Sequence, residues 1–193
     1  MPPSLGCDGA QVARGPESRS ITLPPVTEVL RDVLGPGMRV VFCGTAPGTA
    51  SAKAQAYYAG PGNAFWQALH LTGLTPVELV PAEFERLPEY GIGLTDICKV
   101  SSGADAEVGV SEFDVVSLQE KIAVAEPTYL AFNGKNAARG ALERDVLYGL
   151  QDEQIGGAAV WVLPSTSGRA RRFWKIEPWQ QLALACGTEV EQP

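Results

Sequence analysis

Three features of this sequence are equipped for chemistry, and each lies beside a break in the apolar pattern. Asp96 closes the apolar run 91–96 (GIGLTD). A carboxylate held at the end of a strand can orient and deprotonate a water molecule. The Gly/Pro/Ala loop 44–48 (GTAPG) follows the apolar run 39–43 (RVVFC). Arg169, Arg171, Arg172 and Lys175 crowd one short segment after a third apolar run, 158–163 (AAVWVL). Such a cluster suits contact with phosphates, or a solvated surface loop.

Other chemistries lack their residues. The loop 44–53 (GTAPGTASAK) has no G-K-[ST] ending, so it is not a phosphate-cradling Walker A loop. Gly91 and Gly93 are not followed by a third glycine in the dinucleotide-binding position. No G-x-S-x-G elbow occurs. The one histidine, His70, falls mid-helix a turn after Trp66, where a packed or half-exposed role outweighs a catalytic one. Cys7, Cys43, Cys98 and Cys186 are widely separated. No C-x-x-C pair marks a metal site, and no disulfide framework suggests itself; no cofactor is expected.

The elements that must position these residues alternate in type. Strands are expected over 39–43, 91–97, 129–132 and 158–163, with helices over 21–34 (Thr27 as N-cap of 28–34), 63–71 (Asn63 as N-cap), 77–87, 113–125, 135–142 and 174–186. Alternation predicts a mostly parallel sheet covered on both faces, an α/β fold. Ligands of such sheets sit beyond the carboxyl ends of the strands. The loop after Cys43, the loop around Asp96 and the loop after Leu163 all leave that edge.

Composition sets the class. The chain has 193 residues, 45% hydrophobic and 19% charged, which suits a single domain over 21–187 with tails at 1–20 and 188–193. No apolar stretch is long enough to cross a bilayer, and the N-terminus lacks the apolar core of a secretory signal. Thiols without a disulfide pattern suggest a reducing, intracellular (cytoplasmic) setting. A net charge of −7 weighs against a protein that coats nucleic acid indiscriminately, yet leaves room for one local basic face.

Three segments together resemble one family. Residues 40–48 (VVFCGTAPG) are similar to the first motif of the mismatch-specific uracil/thymine-DNA glycosylases, a strand followed by G-x-N-P-G. Residues 58–66 (YAGPGNAFW) resemble that family's aromatic-then-P-x-N-x-F-W segment, and 161–171 (WVLPSTSGRAR) its second motif, L-P-N-P-S-G with an inserting residue and an arginine. Their order and spacing agree from about 38 to 179. The resemblance implies a three-layer α/β/α fold with a short parallel sheet. It implies that Tyr58 stacks on a flipped base, beside Gly44, Thr45, Ala46, Pro47 and Gly48, with Asn63 fixing the segment behind the pocket. Ser165, Thr166, Ser167, Gly168, Arg169, Ala170 and Arg171 would form the loop that enters the duplex.

The sequence departs from the family pattern at two places. Ala46 stands where the first motif has its water-orienting asparagine, and a methyl group can neither donate nor accept a hydrogen bond. In the second motif, Ser165 replaces an asparagine and Arg169 an apolar wedge. Asp96 becomes the candidate catalytic group; its bland alternative is to cap the next loop or pair with Lys99. The expected activity is hydrolysis of the N-glycosidic bond of uracil opposite guanine, by a monomer acting on duplex DNA. A non-catalytic mismatch or damaged-base binder and a small-molecule enzyme are the competing readings.

Overall fold

The computed structural model describes residues 28–103 and 109–188. The calls for tails at 1–20 and 188–193, and for a helical start at 21–27, fall wholly or almost wholly outside these residues. Five strands form one sheet: β1 (Val40–Gly44), β2 (Ile92–Asp96), β3 (Tyr129–Asn133), β4 (Gly149–Ile155) and β5 (Ala158–Leu163). Their spatial order is β2-β1-β3-β5-β4; only β4 runs antiparallel to its neighbour.

All residues of β1 and β2 are buried, as expected of apolar, β-branched strands covered on both faces. Alternate side chains feed two cores. On one face, Val40, Phe42, Leu94 and Leu163 pack with α2 (Phe65–Leu71) and α5 (Glu177–Ala185) through Phe65, Leu69, Trp179 and Leu182. On the other, Val41, Cys43, Phe132 and Val162 meet α3 (Val115–Ala125) and α4 (Lys135–Leu142) through Leu118, Ile122 and Ala138. The result is the three-layer α/β/α arrangement. No helix among the described residues is long and apolar enough to cross a membrane.

Several local expectations are corrected. Residues 28–34 are not helical: Val33 forms an antiparallel bridge with Leu94, so pairing with β2 overrides the local periodicity. Residues 77–80 are also irregular, and a 3₁₀ helix spans Pro81–Tyr90, running through Pro88 to a left-handed stop at Gly91. Trp174 is extended, and α5 starts only at Glu177. A short helix, α1 (Thr49–Ala54), follows the first loop. The polar strand β4 was not foreseen. Its residues alternate between half-buried and exposed as an edge strand, and it returns to β5 through Gly156 and Gly157, both at positive φ.

The sheet order reverses at β1, which has β2 on one side and β3 on the other. That reversal opens a crevice beyond the carboxyl ends of the strands. The end of β1 is Gly44.

Candidate active site

Parallel pairing places Gly44 opposite Asp96. The pairing continues past the strand ends: Ile97 N–H donates to the Gly44 carbonyl (3.0 Å) and Cys98 N–H to the Thr45 carbonyl (2.9 Å). The two loops therefore leave the sheet zipped together. A Cβ built on Gly44 would collide with Oδ1 of Asp96 and would lie 3.7 Å from the Tyr58 hydroxyl. Glycine is needed at 44 because a carboxylate occupies the space of its side chain. Asp96 itself is only 5% exposed.

Tyr57 and Tyr58 diverge. Tyr57 is buried, packs its ring near Phe84, and accepts a hydrogen bond from Lys99 Nζ at 3.0 Å. Burial, with the nearby Asp96 and Asp32 carboxylates, pushes its phenol far above the ordinary value. Tyr58 is half-buried at the rim and stacks on Phe65, with ring centroids 3.9 Å apart. Its backbone lies in the left-handed region at φ 52°. Among the described residues, the other non-glycine residues at positive φ, Gln55, Glu126 and Glu143, are helix C-caps, a role Tyr58 does not have. A bulky residue held there without a capping role marks a constrained segment.

Asn63 accepts from the Phe65 N–H at 3.0 Å and so starts α2 from one position before the formal cap, Ala64. The N–H of Ala64 donates to the Thr166 carbonyl (2.9 Å), tying this segment to the third loop. Thr166 is clamped by Asn133 at the end of β3: its N–H donates to Asn133 Oδ1 (3.0 Å), and its hydroxyl accepts from Nδ2 (2.8 Å). Gly168 sits on the turn 60–62, where a Cβ would come within 2.8 Å of the Pro61 carbonyl oxygen. Trp179 fixes the base of the loop by donating to the Pro164 carbonyl at 3.1 Å.

Beyond these anchors, Ser167 caps the 3₁₀ turn Gly168–Phe173. Arg169 and Arg171 are exposed, and neither joins a salt bridge with another described residue. Of the first-loop residues, Thr45 and Pro47 are buried, while Ala46 and Gly48 are half-buried. The first loop, Asp96, Tyr58, Asn63 and the start of the third loop thus share one rim. The arginines lie further out on the same loop.

Asn133, Phe65, Asp32 and Lys99 complete the surroundings of the rim. Lys99, expected as an alternative partner for Asp96, has its Nζ 4.0 Å from Asp96 Oδ2 but 2.8 Å from Asp32 Oδ1. Burial alone would raise the Asp32 carboxyl. The charge of Lys99 and hydrogen bonds from Lys121, Lys99 and Thr95 outweigh it and hold Asp32 below the usual aspartate value. Among the described residues, no group of three or more His, Cys, Asp or Glu side chains converges as a metal site.

The comparison with known families decides the assignment. Residues 32–184 match the model of the uracil DNA glycosylase superfamily. The chain belongs to this superfamily. A candidate uracil DNA glycosylase from Methanosarcina acetivorans, whose structure was solved in solution by NMR, is similar at 27% identity and a TM-score of 0.59. The similarity covers 82% of this chain and 96% of that one. The superfamily match spans all three loops of the rim, from Asp32 into α5.

Proposed function

We propose that this superfamily member is a monofunctional DNA glycosylase that extrudes uracil, preferentially opposite guanine, and hydrolyses its bond to deoxyribose. The observation that carries the reading is the Asp96 carboxylate over Gly44 at the reversal of the sheet, beside a loop whose own side chain, Ala46, is inert.

A base inside a duplex is out of reach, and unstacking it costs a few kcal/mol, least at a mismatch. Stacking on Tyr58, itself backed by Phe65, returns about 1–3 kcal/mol. Arg169, on the exposed loop, fills the vacated space in the stack, and Arg171 contacts phosphate. Asn133, Ala64 and Gly168 hold that loop in register with the base pocket.

As the C1′–N1 bond breaks, its electron pair leaves with the base and positive charge grows on the sugar. The Asp96 carboxylate favours that charge, and backbone N–H groups of the first loop favour the anionic base. Water then attacks C1′, and Asp96 takes its proton. The product is an abasic site and free uracil. Hydrolysis needs no amine nucleophile. Lys99 is engaged with Asp32 and Tyr57, which argues against a lyase step through it.

Duplexes carrying G·U, A·U or G·T, and single-stranded uracil, are incubated with excess protein, and abasic sites are then cleaved with alkali. The expected result is cleavage at G·U above all others. Tight binding to G·U with no abasic product would favour the damage-recognition reading that Ala46 invites.

A further inference from the structure

Asp96 borders a buried chain of charges that the chemistry above does not use. Lys99 is 9% exposed, and its Nζ reaches Asp32 Oδ1 (2.8 Å), Tyr57 Oη (3.0 Å) and the vicinity of Asp96 Oδ2 (4.0 Å). Asp32 is held from three sides, by Lys99, by the Thr95 hydroxyl (2.7 Å) and by Lys121 Nζ (2.7 Å), which also meets Glu28 (3.2 Å). Thr95 immediately precedes Asp96, so the anchor of the chain lies one residue from the carboxylate on β2.

We propose that Lys99 is a positioning residue for Asp96. Its ammonium, held near the carboxylate by Tyr57 and shared with the competing Asp32, keeps that carboxylate ionised and so sets the pH at which the enzyme turns over. The proposal rests on the reading of Asp96 given above.

Geometry supports it. The ammonium lies within salt-bridge reach of Asp96, 4.0 Å from Oδ2. The other titratable groups near Asp96 are the Tyr57 and Tyr58 phenols, the Cys43 thiol and Asp32. Burial and the Asp96 and Asp32 charges push both Tyr57 and Cys43 upward, so both stay neutral beside the carboxylate. A like charge nearby favours the protonated acid, and an opposite charge within about 4–6 Å favours the ionised form. A protonated Asp96 can neither accept the proton of the attacking water nor stabilise the sugar cation.

Asp32 has the opposite effect. It draws Lys99 to 2.8 Å and leaves it 4.0 Å from Asp96. Neutralising Asp32 frees the ammonium for Asp96.

The test is the pH profile of single-turnover cleavage of a G·U duplex for the full chain and its Lys99→Gln, Asp32→Asn and Asp96→Asn variants, with duplex binding measured in parallel. In Lys99→Gln, the acid limb should move upward by about one pH unit or more. In Asp32→Asn it should move downward. Lys99→Arg should restore most of the wild-type profile. A purely structural role would lower the rate by a constant factor at every pH, and unmoved limbs in both variants would overturn the proposal. If Lys99→Gln does not fold, the downward shift in Asp32→Asn still decides. Full activity in Asp96→Asn would instead remove the reading on which the proposal stands.

Discussion

Gly44 and Asp96 face each other in the register of β1 and β2, and Asp96 Oδ1 lies where a side chain at 44 would be. The glycine and the carboxylate are therefore one feature. β1 is the inner strand at the reversal of the sheet, hydrogen-bonded on both sides, so its backbone cannot yield easily.

Gly44→Ala should displace the Asp96 carboxylate while leaving the outer loop intact. Overpacking of this kind costs about 1–3 kcal/mol of stability. An ångström of misplacement at a reacting group is worth on the order of 10²-fold in rate. Single-turnover cleavage should fall by that order with affinity for a G·U duplex nearly unchanged. A parallel loss of binding would place the defect elsewhere.

The third loop presents Arg169 and Arg171 to solvent. For Arg171→Ala, the slope of log K against log salt concentration should become shallower by about 0.9 in duplex DNA, the value for one lost phosphate contact. Affinity should drop for matched and mismatched duplexes alike. An unchanged slope would deny Arg171 a phosphate contact.

Asp32 makes stability depend on pH. Its folded carboxyl lies below the ordinary value of 3.8, because Lys99 and Lys121 outweigh the effect of burial. The unfolded chain thus binds this proton more readily. The stabilisation is fully present above the ordinary aspartate range and is lost as pH falls through the lower folded value. Thermal unfolding between pH 6 and about pH 3 should show a steep loss of Tm in the wild type. Asp32→Asn should start from a lower Tm at neutral pH and fall less steeply; parallel curves would contradict the assignment.

Much of this was legible in the sequence, for physical reasons. Short apolar runs ending in glycine or aspartate read as buried parallel strands, and 158–163 matches β5 end for end. Because parallel strands end at one edge, the strand ends alone brought Asp96 to the same rim as residues 44–48. The polar strand β4 escaped because its edge position requires no apolar face strong enough to show in LQDEQI. Residues 28–34 misled because their helical spacing is local, while the bridge from Val33 to Leu94 is not. The Asn133–Thr166 clamp joins residues 33 apart, and no spacing rule announces such a pair. Likewise, the strand pattern drew attention to Asp96 and Lys99, whereas Asp32, in a stretch that looked like an ordinary helix, gave no sign of meeting them.

Asp96 is proposed to do the work that Ala46 cannot. Asp96→Asn keeps the shape of the side chain and removes its charge, so the direct measurement is the single-turnover rate of this variant on a G·U duplex, with binding to the same duplex alongside. Binding should stay within a few-fold of wild type and the rate should fall by on the order of 10²–10⁴, the range supplied by a positioned acid–base group. A rate near wild type would contradict it and assign the attacking water to another residue of the rim.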